Sequence, residues 1–307
     1  TKITSPGRNP LNNCMIDLVT VVYRLEISLL ELQAKSIDTY FEDNFINSIT
    51  VIVNDNDSVC DLIDKSWWGK YKHIVTIVPY SVYGYTCRIN GWENQQLCKL
   101  LSVSRCLMPW AIILDAKTLF VKPCTSQLMF TGDKCNSRLI NIFPQFVEAQ
   151  QSLEKMFDIS FTKAIGPGGV PFVMHTDTVR SMIAYIESNF ETTFDDFFQT
   201  KCRYPDLITE FYLYSAYVQY RYGNSTLLYS NTQDWDCVNL ADWQVDEFDR
   251  IYHEMSLPTI LTVSVHAQAW NLLSQQQKFL YLQLLESKKI INDPKHTLDK
   301  LNTVVIN

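Results

Sequence analysis

Positive charge is in short supply in this chain. Lys and Arg total 26 against 33 Asp and Glu, a net charge of −7 over 307 residues. Binding to nucleic-acid phosphates needs a basic face, so general nucleic-acid binding is not expected, and only a local basic pocket stays open. Glycine is sparse at nine residues, which argues against a loop-rich or repetitive fold. No apolar run is long enough to cross a bilayer, and no secretory signal pattern is present. The nine cysteines are odd in number and include no CxxC pair. Neither a zinc site nor a disulfide framework is indicated, and they read as reduced thiols of a cytoplasmic protein.

What is present is apolar and aromatic. Hydrophobic residues make up 47% of the chain and aromatics 13%, enough to bury a sizeable core. With no internal repeat and no linker, one domain over 14–307 is expected after a polar tail at 1–13. Runs rich in β-branched residues predict strands over 16–23, 49–53, 73–78 and 111–114. Helical spacing predicts helices over 25–40 and 91–106 between them. Such alternation implies an α/β fold with a mostly parallel, Rossmann-type sheet flanked by helices. The second half is less regular. Strands are expected over 139–143, 170–175, 226–230 and 259–265, and helices over 145–157, 177–189 and 207–221. A closing helix over 274–287 has Ser274 as its N-cap, and the Gly166 to Gly169 segment reads as a tight turn.

One carboxylate stands out. Asp115 ends the apolar run Ala111, Ile112, Ile113, Leu114, and a second apolar run begins at Leu119. A charge between two buried strands is costly unless a cation meets it, and ligands of open α/β sheets bind at the carboxyl ends of strands. Asp115 is therefore a site candidate, with Lys117 beside it; the plain alternative is an Asp capping a turn with Lys117 in solvent. Gln95, Gln96 and Lys99 can share one helix face or form a solvated one. Asp55 follows the second strand, either facing a ligand or closing an Asx turn. Glu210 sits among apolar and aromatic residues, where an unused carboxylate is expensive; a structural pairing with Arg or backbone would also explain it. His266 ends an apolar strand.

Taken in order, these words resemble the GT-A fold of nucleotide-sugar glycosyltransferases, and more closely a glycosyltransferase-like bacterial and phage family. The matching stretches run from Gly91 through Gln95, Gln96 and Lys99, from Ile113 to Thr118, from Thr209 to Tyr214, and from His266 to Trp270. The resemblance implies a sugar transferred from a UDP- or GDP-linked donor to a hydroxyl acceptor such as a glycan. Residues 14–125 would bind the donor and 126–307 the acceptor. Thr20, Tyr23 and Asp55 would hold the nucleoside, and Gln95, Gln96, Lys99, Lys117, His266 and Trp270 the remainder of the substrate. Glu210 would be the base of an inverting transfer, with Asp115 at the reacting diphosphate. GT-A enzymes usually carry Asp-x-Asp at this point, holding Mn²⁺ or Mg²⁺; here the motif is Asp-x-Lys. Asp115 and His266 are the residues left to hold such an ion, and Lys117 could take its place as a phosphate-binding charge. Two rival readings are a catalytically degenerate protein that binds glycan or nucleotide, and a sugar nucleotidyltransferase.

Overall fold

The structure is a computed structural model that describes residues 15–84, 91–167, 169–203 and 205–305. The polar segment 1–13 lies outside the described residues. Strand β1 (Ile16–Val22) is followed by a 3₁₀ turn at Arg24–Glu26 and helix α1 (Ile27–Tyr40). Strands β2 (Ile46–Val53) and β3 (Val75–Pro79), helix α2 (Gly91–Arg105) and strand β4 (Trp110–Asp115) complete the alternation. A two-residue strand β5 (Leu119–Phe120) comes directly after the turn that begins at Asp115.

The main sheet has five strands: β3, β2, β1 and β4 side by side, with Phe172–His175 on the far edge. The first four pair in parallel, and Phe172–His175 runs antiparallel to β4. Both faces are covered, so β1 is buried along its whole length and β4 up to Leu114, as parallel strands under helices must be. A second sheet has three strands. Asp236–Leu240 pairs in parallel with Ile260–Val265, which pairs antiparallel with β5.

Each sheet has its own core, and both cores share the same two elements. On α1, Leu30 packs into the first core and Leu32 into the second; on β5, Phe120 and Leu119 divide in the same way. The result is one mixed α/β unit with a parallel-rich central sheet flanked by helices. The alternation read from the sequence is observed. No helix among the described residues is long and apolar enough to cross a membrane.

Several boundaries differ from expectation. The segment expected as a strand over 226–230 holds a 3₁₀ turn at Ser225–Leu227 and a single bridge between Cys135 and Tyr229. Here Asn224 caps the turn by accepting from Thr226 N–H, which diverts the backbone from a ladder. The helix expected from 207 starts at Glu210, because Leu207 adopts a left-handed φ of 50° and Thr209 serves as the N-cap. Ser274 caps Gln275–Ser287 with a full capping box, as expected, but a further helix at Pro294–Val305 follows it. Gly166 is needed for close approach: a Cβ there would lie 2.8 Å from the carbonyl oxygen of Arg138.

Candidate active site

The carboxyl ends of β1, β2 and β4 open onto one cavity of about 960 Å³. Tyr23 and Glu26 come from the end of β1, Asn54 and Asp55 from the end of β2, and Asp115 and Lys117 from the end of β4. Helix α2 adds Gln95, Gln96 and Lys99, and the helix Glu210–Tyr222 adds Glu210. Asn239, Ser264 and His266 enter from the ends of the second sheet, so both halves of the chain build the same wall.

At the centre is a chain of buried charges. Lys99, only 3% exposed, places its ammonium 2.7 Å from Asp115 Oδ1 and 3.1 Å from Glu210 Oε1. Lys117 meets the other oxygen of Asp115, Oδ2, at 3.1 Å. Gln95 lies one turn before Lys99 on α2 and donates to the same Oδ1. Gln96 accepts from the backbone N–H of Glu210 at 3.2 Å, tying α2 to the start of that helix. Gln33, buried on α1, donates to the carbonyls of Asp115 (2.6 Å) and Thr118 (3.1 Å) and so fixes the turn carrying Lys117.

Burial alone would raise the Asp115 carboxyl. The Lys117 and Lys99 ammoniums outweigh it and hold Asp115 well below the usual carboxylate range. Burial likewise opposes the charge of Lys99, but Asp115 and Glu210 keep it firmly protonated. Glu210 is different. Burial pushes its carboxyl up despite Lys99, because Asp115 is nearer to the shared ammonium and also repels a second negative charge. Its place in the first turn of the helix favours the ionised form in part. Glu210 thus holds a proton more readily than an ordinary glutamate.

His266 is pushed down to about 4 by burial and then by Lys117, so it is neutral at physiological pH. The Ser264 hydroxyl donates to Asn239 Oδ1 at 2.6 Å, which leaves the Asn239 amide to donate to His266 Nε2 at 3.0 Å. The Asp55 carboxylate accepts from Arg24 N–H at 3.0 Å and Asn56 N–H at 2.6 Å, joining the β1 and β2 loops while lining the cavity. Tyr23 is raised to about 12 by burial and by Glu26.

Nine of the eleven residues expected at the site, Tyr23, Asp55, Gln95, Gln96, Lys99, Asp115, Lys117, Glu210 and His266, line this cavity. Thr20 and Trp270 do not. Thr20 is enclosed within β1 between β2 and β4, and its hydroxyl has no hydrogen-bond partner among the described residues. Trp270 is packed in the second core against Tyr281, with the Lys278 ammonium 5.6 Å from its ring centroid. Sequence reasoning missed Glu26, Gln33 and the Ser264–Asn239 pair. The alternate-residue spacing of Ser264 and His266 on one strand was an available signal for the last.

A divalent cation would need free oxygen or nitrogen donors. Both carboxylate oxygens of Asp115 are engaged by ammonium and amide groups, and His266 Nε2 is engaged by Asn239. Among the described residues no group of three or more His, Cys, Asp or Glu side chains could hold a metal ion. As arranged here, the donors at Asp115 and His266 do not fit Mn²⁺ or Mg²⁺. Two ammonium groups supply positive charge at this position instead.

Fold and site define an α/β protein with a charged cavity at the carboxyl ends of its strands. The chain belongs to DUF6492, a family of unknown function whose model matches residues 16–279. No curated protein matches it in sequence. Among solved structures it is similar to the galactosyltransferase LgtC in complex with donor and acceptor sugar analogs. That likeness has 13% identity and a TM-score of 0.44, covering 89% of this chain and 96% of the other. It is also similar to apo mouse xyloside xylosyltransferase 1, with 8% identity, coverage of 81% and 97%, and a TM-score of 0.45.

Proposed function

We propose that this protein is a glycosyltransferase that moves a sugar from a nucleoside-diphosphate donor to a hydroxyl acceptor. The observation that carries the reading is the chain Lys117, Asp115, Lys99, Glu210 on one cavity wall. The ends of β1 and β2, with Tyr23 and Asp55, hold the nucleoside, and the diphosphate lies against Lys117. Asp115 orients that ammonium and Lys99, and Lys117 offsets the charge that develops on the leaving diphosphate. Glu210 Oε1 is occupied by Lys99, so Oε2 takes the proton of the acceptor hydroxyl. Attack by that oxygen on the face opposite the leaving group inverts the anomeric centre. Phe143, Phe146 and Tyr212 on the same wall form the acceptor side.

A second reading keeps some support. Asp-x-Lys in place of Asp-x-Asp, with Glu210 paired to Lys99, also suits a protein that binds nucleotide sugar or glycan without turnover.

Lys117 separates this account from a metal-dependent one. Calorimetric titration with UDP- and GDP-sugars is expected to give the same affinity in EDTA as in Mn²⁺. In Lys117→Gln it should weaken by about tenfold to a hundredfold, the worth of a charged hydrogen bond. Loss of wild-type binding in EDTA would show that an ion, and not Lys117, meets the diphosphate.

A further inference from the structure

One buried carboxyl on the cavity wall is not used by this mechanism. Glu26 ends the 3₁₀ turn after β1 and is 5% exposed. It lines the cavity with Tyr23, Asp115 and Lys117. Its turn is anchored twice: the Glu26 N–H bonds to the Tyr23 carbonyl at 2.8 Å, and the Arg24 N–H bonds to Asp55. Among the described residues its carboxyl makes no hydrogen bond or ion pair. Buried polar groups in folded proteins nearly always have partners. A carboxyl on a largely buried residue that opens only onto this cavity, with no partner among the described residues, points to a partner on the ligand.

The protonation state of that carboxyl decides which ligand group it can meet. Burial is the largest influence and disfavours the charged form; Lys117 and Lys99 favour it, and Asp115 opposes it. The balance puts Glu26 at about 7. From the helix Pro294–Val305, which packs against the same turn, Lys300 is committed to Glu31. The Tyr23 phenol, raised by burial and by Glu26, remains neutral. A carboxylate here would repel a diphosphate, whereas a carboxylic acid would donate a hydrogen bond to it.

Building on the donor reading above, we infer that Glu26 is a donor-positioning residue. It meets a phosphate oxygen of the bound nucleotide sugar as a protonated acid and so couples donor binding to proton uptake. The alternative, a carboxylate accepting from sugar or ribose hydroxyls, predicts the opposite linkage.

The test is calorimetry of wild type with UDP-glucose and GDP-mannose in pairs of buffers of different ionisation enthalpy. Neither donor diphosphate titrates near neutrality, so proton exchange reports the protein. Binding is expected to take up protons at pH 8, with little exchange at pH 6 and an affinity that falls by up to about tenfold per pH unit above 7. Glu26→Gln, which keeps an N–H donor, should lose the proton uptake and show a flat profile through this range.

Folding of the variant has its own readout. A carboxyl raised by burial makes wild-type stability fall as pH rises from the ordinary Glu range to about 7. Glu26→Gln should therefore unfold at a higher temperature than wild type at pH 8, with the difference gone at pH 4. Identical proton uptake in wild type and variant, or proton release on binding, would overturn the role of Glu26 while leaving the donor reading intact. Failure of wild type to bind any nucleotide sugar would overturn both.

Discussion

Asp115→Ala is expected to abolish donor binding and to destabilise the fold by roughly 3–5 kcal/mol. The Asp115 carboxylate holds Lys99 and Lys117 through separate oxygens. Its removal leaves Lys99 buried with Glu210 as its one carboxylate partner among the described residues and releases Lys117 from the position where it would meet the diphosphate. Breaking one side of a buried ion pair costs far more than the pair's net contribution, because a desolvated charge is left behind. Because pairing holds its carboxyl below the usual range, the stabilisation Asp115 provides is present above the unfolded-state carboxylate pKa. It is lost as pH falls through the depressed folded-state value. Asp115→Asn retains the volume and one acceptor oxygen, so it separates loss of charge from the cavity that Ala would leave. Unchanged donor affinity in a folded Asp115→Asn protein would remove Asp115 from the binding site.

Glu210→Gln should behave differently: donor affinity is retained while transfer falls by about 10² to 10⁴, the usual range for loss of a general base. Gln fills the same space, and Lys99 keeps Asp115 at 2.7 Å as its nearer partner. Removing the carboxylate that Asp115 repels relieves strain between two negative groups, so no large loss of stability is expected. Near-wild-type transfer by this variant would rule Glu210 out as the base. Simultaneous loss of donor binding would show that it orders the cavity instead of accepting a proton.

The elements that carry these two residues were legible in the sequence to different degrees. β1 is enclosed along its whole length, β4 up to Leu114 and β2 toward its carboxyl end, so they appear as largely apolar, β-branched runs, and Asp115 is visible as the charge that ends one. Gln95, Gln96 and Lys99 were legible as one helix face; the structure gives each of them a partner at Asp115 or Glu210. Glu210 was visible as a carboxylate among aromatics. Its position at the start of the helix was not, because the left-handed Leu207 that delays the helix is an unusual conformation for a branched apolar residue.

Glu26 was hidden for another reason. In the sequence it lies between Leu25 and Ile27, where a charged residue reads as the exposed side of a helix start. Its burial comes from the cavity wall and from the distant helix Pro294–Val305 packed on the same turn. Gln33 was obscured likewise: it is a polar residue on a covered helix, and its partners lie 82 and 85 positions away. The two-residue β5 owes its existence to pairing with Ile260–Val265, a contact no local pattern encodes. Helix Phe248–Met255 is the clearest missed opportunity. Phe248, Ile251 and Met255 recur at helical spacing and are all buried.

The central claim is turnover, and the most direct measurement is release of nucleoside diphosphate from a panel of UDP- and GDP-sugars by the wild-type protein, with EDTA and with Mn²⁺ in parallel. The account predicts slow release from at least one donor in EDTA, by transfer to water where no acceptor is supplied, and its loss in Glu210→Gln. Tight nucleotide binding with no release under either condition would contradict it and identify a binding protein.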